Sequence, residues 1–241
     1  MSRRSLDFAL VAALEREVRG IVRGWRRRMV EGLPLYESEN AVVICAGTGA
    51  RRARQASQAL LEKYTPKLLI SIGYAGSCDA STVPGSVLVP ARVVDSATGQ
   101  QMKTAFGCGC LVTLDKVAGS GLKQCSAARY SAQAVDMEAF GVAEAAESSG
   151  AEFLAIKAVS DGAEEDLDFL GPFIRPDGFA IAPFLVHIMF RPALWPKVAQ
   201  LQRGSKLASQ ALTEAVNFCL KDCPSFAEQN RENASRHIKG E

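Results

Sequence analysis

The chain has 241 residues, 48% of them hydrophobic, with 28 Lys and Arg against 26 Asp and Glu for a net charge of +2. That length fits one large α/β domain with a real core, and the charge balance argues against a general nucleic-acid binder. Seven scattered cysteines and two isolated histidines, His187 and His237, argue against a disulfide framework, a zinc set and a histidine-dependent hydrolase, so no metal is expected.

Met1-Ser2-Arg3-Arg4-Ser5 leads straight into an apolar strand over 6–13, without an apolar leader, so the expected compartment is the cytoplasm. Glu15 and Glu17 follow and open a helix predicted over 15–30, with Val18, Ile21, Val22 and Trp25 as its apolar stripe. Acids at that edge of an open α/β sheet either deprotonate an attacking water or simply complement the helix dipole. A strand over 41–46 ends in Gly47-Thr48-Gly49-Ala50-Arg51-Arg52, which opens a helix over 51–63. Arg52 replaces the third glycine of a dinucleotide fingerprint, and the next strand offers no acid to grip a ribose. Gly47, Gly49, Arg51 and Arg52 therefore read as a phosphate or sugar-hydroxyl site, or as a plain tight turn. A strand over 68–73 ends in a second small-residue turn, Gly73-Tyr74-Ala75-Gly76, and further strands are predicted over 87–94, 110–114 and 132–137.

Next come two acidic motifs, Val135-Asp136-Met137-Glu138 and Ser160-Asp161-Gly162, separated by a helix over 138–149 and an apolar strand over 153–159. The 23 positions from Glu138 to Asp161 hold one helix and one strand, so a parallel neighbour brings both acids to the same sheet edge. Cleaving a bond between a sugar and a base needs such a pair. One carboxylate holds the ribose as positive charge develops on it, and a second group relieves the charge of the leaving base. Taken singly, each acid favours the plainer reading of a helix or turn cap.

Beyond Asp161 the pattern becomes loop, with turns at Gly171-Pro172 and Arg175-Pro176-Asp177-Gly178, then helix over about 179–220. The polar end, 221–241, is expected to be flexible. Residues 179–190 are interrupted by Pro183 and His187 and are too short to cross a bilayer. Nearly continuous apolar strands with intervening helices predict a single α/β domain over 1–220, three layers α/β/α around a central mixed, mostly parallel sheet.

Glu15-Arg16-Glu17-Val18, the two glycine turns and the two acidic motifs occur in the order of the nucleoside phosphorylase and nucleosidase family, which the chain resembles over roughly residues 6–165. The resemblance implies that Asp161 assists departure of a purine, Glu138 holds the ribose hydroxyls and Met137 packs on the sugar. It also implies that Val117 and Ala118, with Tyr74, Ala75 and Gly76, lie beside the base, and that Glu17 activates water. It further implies no cofactor, inorganic phosphate or water as co-substrate, and a homodimer or larger homo-oligomer. Ser71 stands near the family's phosphate-binding arginine, so Arg51, Arg52 or a neighbouring subunit would have to supply that charge. Tyr74 replaces a small residue and Val117 an aromatic one.

Arg175-Pro176-Asp177-Gly178 and Arg191-Pro192-Ala193-Leu194-Trp195-Pro196 resemble the hopanoid-associated phosphorylase subgroup. This implies release of adenine from a lipid-linked adenosyl substrate, adenosylhopane, in hopanoid biosynthesis. Phe179, Ile181, Phe184, Leu185, Ile188, Met189, Phe190 and Trp195 then form an apolar approach. Arg191, Lys197, Arg203 and the cluster Arg23, Arg26, Arg27 and Arg28 around Trp25 face anionic headgroups, in peripheral contact with the inner face of the membrane. The plain alternative is a core helix with solvated basic faces. For function the alternatives are a methylthioadenosine/S-adenosylhomocysteine nucleosidase, a general purine nucleoside phosphorylase, or a fold that has lost catalysis and only binds nucleosides.

Overall fold

The computed structural model describes residues 3–175 and 178–239, with backbone alone for Arg175, Gly178, Phe179, Ile181 and 233–239. Pro176 and Asp177, and the side chains of Phe179 and Ile181, thus lie outside the described residues. Strand β1 (Arg4–Ala12) leads through the one-turn helix α1 (Glu15–Val18) to a hairpin of β2 (Arg26–Val30) and β3 (Leu33–Glu37). Then follow β4 (Ala41–Cys45), α2 (Ala50–Lys63) and the long β5 (Tyr64–Ser77). Short strands β6 (Val87–Leu88), β7 (Arg92–Asp95), β8 (Gln101–Lys103) and β9 (Cys110–Thr113) precede α3 (Ser120–Tyr130), β10 (Ala134–Asp136), α4 (Ala139–Ser149) and β11 (Glu152–Asp161). After a 3-10 segment, Asp168–Phe173, come α5 (Ile181–Met189), α6 (Trp195–Lys221) and α7 (Cys223–Lys239).

Strands β1 to β11 form one mixed sheet, in the order β2-β3-β4-β1-β5-β10-β9-β7-β8, with β11 pairing β5 and β6, while Ile174–Arg175 and Gly178–Phe179 pair as a separate two-stranded sheet. The central pairs β1–β4, β1–β5 and β5–β11 are parallel, and the β2–β3–β4 edge is antiparallel. Side chains alternate along each strand, so β1 divides its core between two layers. Ala9 and Val11 join α2 and α4 on one face, while Phe8, Leu10 and Ala12 join α1 and α6 on the other. Helix α6 contributes buried Ala208, Leu212, Val216 and Cys219, a stripe at helical spacing. The expected three-layer α/β/α architecture is observed. No helix among the described residues is long and apolar enough to cross a membrane.

Three local expectations are corrected. The helix predicted over 15–30 stops at Val18; a run of turns follows over 19–24, ending at Gly24 with φ +83°, and Arg26–Val30 pairs with Leu33–Glu37 as an edge hairpin. Val18, Ile21 and Val22 are buried nonetheless. The strand predicted over 87–94 is two strands, β6 and β7, interrupted around Pro90, which has no N–H for a ladder. Gly73-Tyr74-Ala75-Gly76 is not a turn, because its backbone is taken up by parallel pairing with β11 and, at Gly76 and Ser77, by antiparallel pairing with β10. The polar end carries helix α7, whose Phe226 is buried and packs edge-on against Phe106 and Phe218.

Candidate active site

The carboxyl ends of β1, β5, β10 and β11 surround a cavity of about 440 Å³. Of the residues singled out from the sequence, Glu17, Glu138, Met137, Asp161, Val117, Ala118, Tyr74, Ala75 and Gly76 all line it. The wall from the carboxyl-terminal third is mainly apolar: Leu167, Leu170, Ile174, Phe184, Val198 and Leu201, with Gln202 and Ser205 as its polar members. The cavity therefore has an acidic end and an apolar end.

Short α1 turns Glu17 inward and Glu15 outward. Glu17 is buried, and its Oε2 accepts the N–H groups of Ala13 and Leu14, each at 3.2 Å. Burial pushes its pKa up, only partly opposed by those N–H groups and by Lys157, so the ionised side chain is a stronger base than a free glutamate. Glu15 instead accepts from Tyr36 at 2.5 Å and pairs with Arg27 at 3.1 Å, and the tyrosine bond is the main reason its pKa is lowered. Glu15 takes no part in the cavity wall.

The first acidic motif divides its labour in the same way. Asp136 is the structural acid: Oδ1 accepts from Thr113 Oγ1 at 2.7 Å, and Oδ2 accepts the Ala139 N–H at 2.8 Å, capping the first turn of α4. Glu138 is half-buried at the cavity, its Oε1 accepting the Gly49 N–H at 2.9 Å. Burial and then the Asp136 charge push Glu138 from 4.5 up to about 7. Beneath both acids lies Lys157 of β11, fully buried, with Nζ 2.8 Å from Asp136 Oδ2 and 3.0 Å from Ser71 Oγ. Burial works against its charge, but Asp136 and Glu138 hold it above the ordinary lysine value.

Asp161 closes β11 and is buried. Its Oδ1 accepts from Ser160 Oγ at 2.6 Å, and its Oδ2 lies 2.5 Å from Lys123 Nζ. Burial raises its pKa, against the pull of Lys123 and Ser160. Gly76 makes this arrangement fit: a Cβ there would stand 2.7 Å from Asp161 Oδ2 and 3.0 Å from Lys123 Cε.

Neither lysine was found from the sequence. Lys157 carried a readable signal, a lone charge inside the apolar run Phe153-Leu154-Ala155-Ile156-Lys157-Ala158-Val159, where a cation must be paired. Lys123 carried none, because α3 was not anticipated. Of the anion-site residues, Gly49 serves Glu138 through its N–H, whereas Arg51 is exposed and Arg52 lines a separate hollow with Glu31 and Gln55. The cations on the cavity rim are Arg16 and Lys116, both exposed. Among the described residues no cluster of His, Cys, Asp or Glu has the makings of a metal site.

Residues 6–108 match the model of the phosphorylase superfamily. No curated protein matches the chain. Among solved structures, the Arabidopsis thaliana 5'-methylthioadenosine nucleosidase superposes with a TM-score of 0.66 at 18% identity, over 90% of this chain and 96% of that one. The Colwellia psychrerythraea 5'-methylthioadenosine/S-adenosylhomocysteine nucleosidase in complex with adenine gives 0.60 at 20% identity, over 68% and 86%. Futalosine hydrolase of Helicobacter pylori gives 0.58 at 14% identity, over 67% and 89%. The shared property is the fold.

Proposed function

We propose that this protein is an enzyme that cleaves the N-glycosidic bond of a purine nucleoside, with water as acceptor and adenine as the released base. The observation that carries the reading is the convergence of Glu17, Glu138 and Asp161 on one cavity. The superfamily match over 6–108 and the nucleosidase fold support it.

Glu17, made more basic by burial, takes a proton from water as the oxygen attacks C1′ of the ribose. Glu138 accepts the ribose hydroxyls and favours positive charge on the ring. Asp161 gives its proton to the departing base, which leaves with the electron pair of the broken C–N bond. Water is the favoured acceptor because Lys157, the cation beneath the acids, is already engaged by Asp136 and Ser71, and Glu17, Asp136 and Glu138 around it repel a phosphate dianion.

The sugar substituent is read from the apolar end. Phe184, Val198 and Leu201 suit a hydrocarbon group rather than a free 5′-hydroxyl, as in the lipid-linked adenosyl substrate of hopanoid biosynthesis. The outer side of the same region supports that choice over methylthioadenosine. Leu185, Val186, Met189, Trp195 and the 75%-exposed Phe190 are solvent-facing, and residues 178–213 contain Arg191, Lys197, Arg203 and Lys206 without one acid. An apolar patch in an acid-free basic segment suits an anionic bilayer from which such a substrate is drawn. Arg27 and Arg28, paired with Glu15 and Glu37, are less suited to that role.

The test is release of adenine from adenosine, methylthioadenosine and an adenosyl lipid, each with and without phosphate. The expected result is release fastest from the lipid, with free sugar as co-product and no phosphate requirement. Sugar phosphate would overturn the acceptor, a preference for methylthioadenosine would overturn the lipid, and no release from any substrate would overturn the enzyme. Sedimentation with anionic vesicles that is lost in Phe190→Ser/Trp195→Ser supports the bilayer contact; self-association through the same patch overturns it.

A further inference from the structure

Lys123 is, like Lys157, a fully buried cation, and it lies within hydrogen-bond reach of the acid assigned to base departure. An ammonium has three protons to donate. Those of Lys123 meet three oxygens: Asp161 Oδ2 at 2.5 Å, the Gly162 carbonyl at 2.7 Å and the Glu165 carbonyl at 2.9 Å. The loop that supplies two of them is itself fixed, since Glu165 Oε1 accepts the Gly162 N–H at 3.0 Å. The lysine thus ties helix α3 to the end of β11 and to the following loop. Gly76 leaves the space in which the two side chains meet.

We propose that Lys123 is a positioning residue for base departure, holding Asp161 on the cavity wall and stabilising the carboxylate that remains once the base has taken its proton. This rests on the N-glycosidic reading above. When the bond between C1′ and the base breaks, the electron pair goes to the base, the proton of Asp161 goes to a base nitrogen, and Asp161 becomes an anion. In a buried site that anion is costly without a partner. Only an interaction stronger in the transition state than before it accelerates the step, and the Lys123 contact strengthens as charge develops on Asp161. A buried Asp161 without Lys123 would hold its proton too tightly to be an effective acid. The groups facing Asp161 are Ser160 on β11, Lys123 on α3 and, at longer range, Glu165 of the loop and Cys78 just beyond β5, whose thiol burial pushes up to about 12.

The experiment follows the carbonyl stretch of protonated Asp161 by infrared difference spectroscopy against Asp161→Asn, across pH, beside kcat and KM. In Lys123→Met the band persists to higher pH by about 1–3 pH units, the range an adjacent cation ordinarily accounts for. The alkaline limb of kcat moves with it, kcat falls at every pH, and KM stays near wild type. Lys123→Arg restores the wild-type band position. A folded Lys123→Met whose band and limb do not move would overturn the proposal, leaving the lysine a structural tie. Should Lys123→Met not fold, Lys123→Gln keeps a donor without the charge, and an unmoved band there overturns it equally. The band reports on Asp161 whether or not adenine is released, so failure of this inference is distinguishable from failure of the functional reading.

Discussion

Replacing Glu138 with Gln should make the protein more stable and less active at once. Glu138 takes a proton at about pH 7 in the folded chain against an ordinary value of 4.5, chiefly because it is buried and faces Asp136. A group that binds its proton more tightly when folded contributes its full stability below pH 4.5 and loses it as pH rises through 7. The difference of about 2.5 pH units corresponds to roughly 3 kcal/mol, at 1.36 kcal/mol for each. Gln has nearly the same shape, still accepts the Gly49 N–H, and has no charge to lose. Urea unfolding of the two proteins should therefore coincide near pH 4.5 and diverge through pH 7, with Glu138→Gln more stable by about 3 kcal/mol at pH 8. Activity should move the other way, since losing charged hydrogen bonds to the ribose costs about 1.5–3 kcal/mol, roughly 10- to 150-fold in kcat/KM. Equal stability at pH 8, or a less stable variant, would refute the idea that Glu138 is held at a cost to the fold.

Further outcomes follow from the same geometry. Lys157→Met removes the cation from a buried pair and should destabilise by about 3–5 kcal/mol in urea at pH 7, with Lys157→Arg costing less because charge is kept. Gly76→Ala places a methyl group 2.7 Å from Asp161 Oδ2, and calorimetry should show a loss of about 1–3 kcal/mol together with reduced turnover. Leu201→Ala should raise KM for a nucleoside with a long apolar substituent while leaving adenosine unaffected; equal effects on both would move that substituent elsewhere. Leu212→Ala, at the buried contact of α6 with the sheet, should cost about 2–5 kcal/mol of stability without changing substrate preference.

The sheet was legible because its central strands are buried on both faces and write themselves as continuous apolar runs such as 68–73 and 153–159. Weakly patterned elements were not. Leu33–Glu37 contains a proline, and Gln101–Lys103 is a three-residue edge strand. Helix α3 buries only Lys123 and Ser126, so no apolar stripe announces it. At the site, spacing brought Glu138 and Asp161 to one sheet edge, and the structure places both on the cavity beside Glu17. The sequence could not separate roles within each acidic pair. Asp136 caps α4 while Glu138 faces the cavity, and Glu15 pairs with Arg27 while Glu17 turns inward, choices made between positions only two residues apart. Tertiary partners were invisible altogether: Lys123 is 38 positions from Asp161 and Lys157 is 86 from Ser71.

The central claim is that Asp161 gives up a proton as a purine base leaves. Its most direct test is adenine release under single-turnover conditions by the wild-type protein and by Asp161→Asn, with substrate affinity measured separately for each. The account predicts adenine from the wild type, a loss of about 100- to 10,000-fold in the rate for Asp161→Asn, as for removal of a general acid, and affinity little changed. Undiminished release by Asp161→Asn, or nucleoside binding without release by the wild type, would contradict it.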